Sequence, residues 1–289
     1  MGLSRSGGAA VRGALGDGAS THAWGGPIFE VRDVAIGFGD RDDVLAGVDL
    51  AIEKGEFLTL LGPSGCGKTT ILNLAAGLLQ PRSGQVRFAG KEIVSVNTSV
   101  GYMTQDDTLL PWQTVSTNVG LPLRMRGVTK AETAERVARY LDMLDLSHAS
   151  NLLPGQLSGG MRRRALLARS MIYDPQLLLM DEPFAALDAQ MRHQMHSELR
   201  ATVNRLGQTV LFVTHDISEA AKLSDRVLIV GGGPPGGIVK EYTLPFGRER
   251  DLDRLRFTDE YARVERELND GLLEARSSRS AAATTEGMS

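Results

Sequence analysis

Gly62-Pro63-Ser64-Gly65-Cys66-Gly67-Lys68-Thr69 is the stretch whose reading decides the fold. It satisfies G-x-x-x-x-G-K-[ST] at every fixed position, and its flanks supply the context that the pattern needs. Upstream, Glu56-Phe57-Leu58-Thr59-Leu60-Leu61 is a compact β-favouring run that stops at Gly62. Downstream, residues 67–79 have helical spacing, with Ile71, Leu72, Leu74 and Ala75 on one apolar face and Gly77 and Pro81 at its end. A glycine-rich turn between strand and helix lets several backbone N–H groups point inward as an anion nest. The helix adds roughly half a positive charge at its N-terminus. Lys68 can reach β- and γ-phosphates, and the Thr69 hydroxyl suits Mg²⁺, a hard cation that prefers oxygen. Gly62, Pro63, Ser64, Gly65, Cys66, Gly67, Lys68, Thr69 and Thr70 are therefore expected to hold the phosphates of a nucleotide such as ATP.

Leu177-Leu178-Leu179-Met180-Asp181-Glu182 is an apolar strand ending in two acids. A buried strand that delivers carboxylates at its C-terminal edge is how an α/β sheet builds a site. Asp181 suits Mg²⁺, and Glu182 suits the orientation and deprotonation of a water.

Around these two anchors strands and helices alternate. Strand signals fall at 28–36, 45–52, 84–103, 210–214 and 226–230, and helical ones at 188–206, 217–223 and 251–273. Between 106 and 173 helical patterns dominate, including 130–144 and 161–173, as an insertion. The alternation predicts a mostly parallel sheet covered by helices on both faces. Residues 1–26 and 276–289 are rich in small and polar residues and read as disordered tails.

The 289 residues carry 32 Lys+Arg against 35 Asp+Glu, so the balance argues against a nucleic-acid surface. With 42% hydrophobic residues there is material for a sizeable core. The single cysteine, Cys66, allows no intrachain disulfide and suits a reducing compartment. Its glycine neighbours suggest an accessible thiol without a catalytic role. His193 and His196, spaced i, i+3, read as a solvated helix face rather than a metal pair, because no third ligand is in view.

Leu157-Ser158-Gly159-Gly160-Met161 narrows the class, because it resembles the LSGGQ-type signature of ATP-binding cassette (ABC) ATPases. The order along the chain is also that family's: phosphate loop, Gln105, signature, Asp181-Glu182, Ala186-Leu187-Asp188, His215. The resemblance covers about residues 28–245. It implies a P-loop NTPase cassette with a mostly parallel core sheet, an antiparallel β subdomain and a helical subdomain. Domain boundaries follow as 27–247 for the ATP-binding domain, with the helical subdomain at about 106–173, and 248–275 for a C-terminal helical extension.

The same resemblance implies a homodimer in which ATP lies between one cassette's phosphate loop and its partner's Ser158, Gly159 and Gly160. It assigns Phe38 to adenine stacking, Gln105 to Mg²⁺ and the attacking water, Asp188 to the dimer crossing, and His215 to the γ-phosphate beside Glu182. Lys68, Gln105, Glu182 and His215 would then be catalytic, and Thr69, Gln105 and Asp181 the metal ligands. Arg164 matches a usual family arginine, whereas Arg163 stands where a glutamine is usual. Leu109-Leu110-Pro111-Trp112 reads as an exposed cluster suited to a permease helix. With Thr114-Val115 and Asn118-Val119 it resembles a run of nitrate/sulfonate/taurine-type importers, as does Leu244-Pro245-Phe246. The ~45 residues after Pro245 are too few for the added β-domain of some other importers. The resemblance implies a peripheral subunit on the cytoplasmic face of the inner membrane. It would work with transmembrane permease subunits and, indirectly, an extracytoplasmic solute-binding protein. A soluble non-transport ABC ATPase of DNA repair or translation is the alternative, and a phosphate-loop kinase lacks the signature and His215.

Overall fold

The computed structural model describes residues 25–37, 39, 43–231 and 235–286. In chain order the first elements are β1 (Phe29–Gly37), β2 (Asp43–Ile52), β3 (Phe57–Leu61), α1 (Lys68–Ala75), β4 (Ser83–Phe88), β5 (Lys91–Glu92) and β6 (Val100–Met103). Then come α2 (Val115–Met125), α3 (Lys130–Met143), α4 (Gly159–Met171), β7 (Leu177–Asp181), α5 (Ala189–Leu206), β8 (Val210–Thr214) and α6 (Ile217–Leu223). The chain continues through β9 (Arg226–Gly231), β10 (Gly237–Thr243), α7 (Leu252–Leu255) and α8 (Asp259–Glu286).

Two sheets form, a six-stranded one ordered β10-β9-β3-β8-β7-β6 and a four-stranded one ordered β2-β1-β4-β5. The larger is parallel except for β10, which runs antiparallel to β9 at the edge. The smaller is antiparallel throughout. Leu177–Met180 lacks polar alternation because both of its faces are buried. Leu178 and Met180 join Phe57, Val210 and Phe212 in a core closed by α2 to α5. Leu177 and Leu179 face the other way with Leu58, Leu60, Leu211 and Val213, under α1 and the antiparallel sheet. A third cluster seats α6 and α8 on Val227 and Ile229 through Ala220, Ala221, Val264 and Leu268.

Register brings the site together. Leu61 of β3 pairs with Thr214 of β8, and Asp181 of β7 pairs with Val213. The residues that follow these strand ends, Gly62, Glu182 and His215, therefore leave the same edge of the sheet as neighbours.

Several expectations change. The charged stretch 251–273 is two helices rather than one: Asp251 caps a short α7 by accepting from Asp253 N and Arg254 N, and Thr258 starts α8 afresh, its hydroxyl accepting from Tyr261 N at 3.2 Å. α8 continues to Glu286, past the boundary expected at 276. Residues 274–286 contain neither Gly nor Pro, and Ala281–Ala283 favour helix. β10 was not expected; its pairing with β9 is tertiary and leaves little local signal. The N-terminal tail, except residues 25 and 26, and Phe38 lie outside the described residues.

Candidate active site

The phosphate loop is wound around its own lysine. Lys68 is buried, and its Nζ donates to the carbonyls of Gly62 at 2.9 Å and Pro63 at 2.7 Å. Two of the loop's glycines are sterically required. A Cβ on Gly62 would lie 2.2 Å from the Val230 carbonyl oxygen, and one on Gly67, at φ 98°, would lie 2.6 Å from Leu45 Cδ2. Cys66 is buried, with Sγ 3.9 Å from Lys68 Nζ, so the accessible thiol expected from its glycine neighbours is not found. The loop folds Cys66 inward against Gly62 instead.

A cavity of about 320 Å³ opens above the loop, lined by Ser64, Gly65, Gly67, Lys68, Thr69 and Thr70 together with Val44, Gln105, Asp181 and Glu182. Gly62, Pro63 and Cys66 form the layer behind it. The Thr69 hydroxyl donates to Asp181 Oδ2 at 2.9 Å. Burial pushes the Asp181 carboxyl above the ordinary range, against the lowering effect of the Thr69 bond, and the neighbouring Glu182 adds to the rise. The Thr69 hydroxyl, the Asp181 carboxylate and the Gln105 carboxamide are all oxygen donors, which fits Mg²⁺ and not a thiophilic metal.

Glu182 sits at φ 42°, in the left-handed region that non-glycine residues rarely adopt. Its N–H donates to the Val213 carbonyl at 3.0 Å, which locks the turn. Its Oε2 lies 3.0 Å from His215 Nδ1, joining the ends of β7 and β8. A carboxylate can only accept, so in the tautomer that makes this bond to the ionised glutamate Nδ1 is the donor.

The signature residues lie elsewhere. Ser158 caps α4, its hydroxyl accepting from Met161 N at 3.2 Å, and Asp188 caps α5 by accepting from Met191 N at 2.9 Å. The two caps pack together: a Cβ on Gly160 would lie 2.6 Å from Met191 Sδ. Among the described residues, Ser158, Gly159, Gly160 and Asp188 do not line the phosphate cavity of their own chain. A larger cavity, about 710 Å³, lies between α5 and residues 249–253. It includes none of the phosphate-loop residues, so chemistry rather than size locates the site.

The family described as ABC transporter matches residues 45–185. Over 238 residues the chain is 40% identical to an uncharacterized ABC transporter ATP-binding protein of Methanocaldococcus jannaschii, covering 82% of this chain and 88% of the relative. The chain belongs to the ABC transporter ATP-binding proteins. It is 40% identical to the taurine import ATP-binding protein TauB of Pelagibacter ubique, over 80% of this chain and 88% of TauB. It is also 43% identical to the spermidine/putrescine import ATP-binding protein PotA of Pseudomonas aeruginosa, over 72% of this chain and 58% of PotA. An ATP-binding cassette solved as a dimer with ADP and Pi superposes with a TM-score of 0.64 at 28% identity, covering 76% of this chain and all of that one. The cassette is accordingly an ATPase with the α/β fold of its family.

Three features of this ABC cassette escape a reading of its sequence. His196 is buried rather than solvated, edge-on to Phe184 with Nε2 3.3 Å from Glu219 Oε1. Glu219 in turn accepts from the Thr214 hydroxyl at 2.6 Å, just before His215. Leu109 is buried in the helical core, so the apolar cluster expected to be exposed reduces to its Pro111-Trp112 end, where Trp112 is 72% exposed. Asn118 is fully buried and holds that turn: it accepts from Leu110 N at 2.7 Å and donates to the carbonyls of Leu110, Gln113 and Thr114 at 2.9–3.1 Å. An asparagine eight residues after Leu110, at the start of α2, is the available signal for this.

Proposed function

We propose that this cassette drives import of a small anion or organosulfur solute of the nitrate, sulfonate and taurine type. The observation that carries the reading is the Asn118-held turn. It presents exposed Trp112 just beyond Gln105, so one loop touches both the hydrolytic cavity and a surface for a permease helix. The solute class is supported by the resemblance of the 109–119 run and by the likeness to TauB. Among the described residues no helix is long and apolar enough to cross a membrane, so the spans would come from permease subunits at the cytoplasmic face of the inner membrane. An extracytoplasmic binding protein would deliver the solute.

Two copies would pair head to tail, each offering Ser158, Gly159, Gly160 and Asp188 to the other's nucleotide. The separation of these residues from their own cavity and the dimeric structural neighbour support that arrangement. Phe38 would stack on adenine, and Lys68 and the loop N–H groups would bind β- and γ-phosphates. Thr69, Asp181 and Gln105 would hold Mg²⁺, which when bound neutralises charge on the phosphate oxygens. Glu182 orients a water and takes its proton as the water oxygen bonds to the γ-phosphorus and the bond to the ADP oxygen breaks. His215 holds Glu182 in place and offers its other nitrogen to the phosphoryl group.

The test uses a strain lacking this gene and labelled taurine, an alkanesulfonate and nitrate. The wild-type gene should restore uptake of one of them. Glu182→Gln should not, although the purified variant still binds ATP and dimerises. Unchanged uptake of all three in the deletion strain would remove the solute class. Normal ATP turnover by the variant would remove Glu182 as the base.

A further inference from the structure

Three arginines of α4 grip the segment that carries Gln105. Arg163 is 6% exposed, and its guanidinium donates to the Gln105 carbonyl at 2.6 Å and approaches the Thr104 carbonyl at 3.5 Å. Arg162 Nε lies 3.3 Å from Asp107 Oδ2, while its Nη1 donates back to the Leu157 carbonyl of the signature at 2.8 Å. Arg169 donates to the Thr108 carbonyl at 2.8 Å. Burial pushes the Arg163 guanidinium down, and Asp107 and Asp106 push it back up. A desolvated cation is kept in place only where acceptors are fixed around it. The planar fork of arginine spans two successive carbonyls, which a glutamine amide matches less well.

We propose that Arg163 is a positioning residue for hydrolysis, tying the start of the signature helix to the Gln105 backbone so that both surfaces move as one body. The geometry is direct. α4 begins at the signature, which would meet the partner's nucleotide, and Gln105 lines the cavity of its own chain. With its carbonyl clamped, Gln105 keeps its carboxamide in the wall of the cavity that Thr69 and Asp181 also line. A shift of α4 is passed to that carboxamide and onward to Trp112. The inference rests on the role given to Gln105 above.

The experiment is a double-mutant cycle on ATP turnover by the full chain, with Arg163→Ala, Gln105→Ala and the double variant. Removing a group that orients a metal ligand commonly costs 10–100-fold, so R163A should lower kcat about tenfold. KM for ATP should stay within about twofold, because ground-state binding is left alone. In the Q105A background R163A should add no further loss, and Arg163→Lys should recover part of kcat. Losses that multiply in the double variant would overturn the proposal, since a merely structural arginine acts independently of the Gln105 side chain. Unchanged kcat in R163A overturns it too, while Q105A still loses turnover and the reading of Gln105 stands. Full turnover in Q105A removes both. Should R163A not fold, the same cycle is read with R163K.

Discussion

Asp181 is a carboxylate held where a carboxylate is uncomfortable. Burial raises its pKa, Thr69 opposes that rise, and Glu182 sits next to it. Its sign in the stability of the chain follows from linkage. A carboxyl that holds its proton more tightly when folded stabilises the fold below the ordinary carboxylate range, and that stability is lost as pH rises through the raised folded value. Asp181→Asn removes the titration. In a chelator, without nucleotide, the variant should melt above the wild type near neutral pH, and the gap should close as pH falls into the ordinary carboxylate range. Thermal melts across that range check it. A gap that widens toward acid would mean that the Thr69 bond dominates over burial.

At the scale of an element, the turn before α2 depends on one side chain. Asn118 is fully buried, and its amide satisfies one backbone N–H and three carbonyls. Asn118→Ala leaves the Leu110 N–H and the Gln113 carbonyl without this partner, while the Leu110 and Thr114 carbonyls keep the backbone N–H groups of residues 113 and 118, and it should cost about 2 kcal/mol. Denaturant unfolding measures the loss, and co-purification with the permease should weaken with it because the Trp112 turn is no longer held. How far elements were legible depended on where their bonds close. α6 at 217–223 and β8 at 210–214 were legible because cap, spacing and apolar run are local. β10 was not, because its ladder is made with β9. His196 was misplaced because helix spacing does not say which neighbour buries a face; Glu219 and Phe184 decide that. Gln105 and His215 were legible only through motif order, and their convergence with Asp181 needed the register of three strands.

At the scale of the whole molecule, Asp225 joins parts far apart in the chain. Its Oδ2 accepts from Phe57 N at 3.0 Å, and its Oδ1 from Arg200 at 2.7 Å and Arg250 at 2.9 Å. α5, the start of β3 and the segment after β10 meet there. Burial and the nearby Arg200 push the Arg250 guanidinium down to about 10, against the pull of Asp225. Asp225→Ala leaves two buried guanidiniums unpaired, which commonly costs about 3–5 kcal/mol. The urea midpoint should fall accordingly, while ATP turnover per folded molecule stays unchanged; a midpoint near that of the wild type would show that the C-terminal segment is not braced here.

The two carbonyl bonds of Lys68 have a thermodynamic consequence. Its ammonium is dehydrated by the Gly62 and Pro63 carbonyls, not by the anion it serves. An arriving phosphate therefore does not bear the cost of stripping water from the cation; it adds an acceptor to a charge that is already dry and aimed. The lysine is at once ligand and internal counter-ion, and the loop is a cage assembled in advance around the charge it will offer.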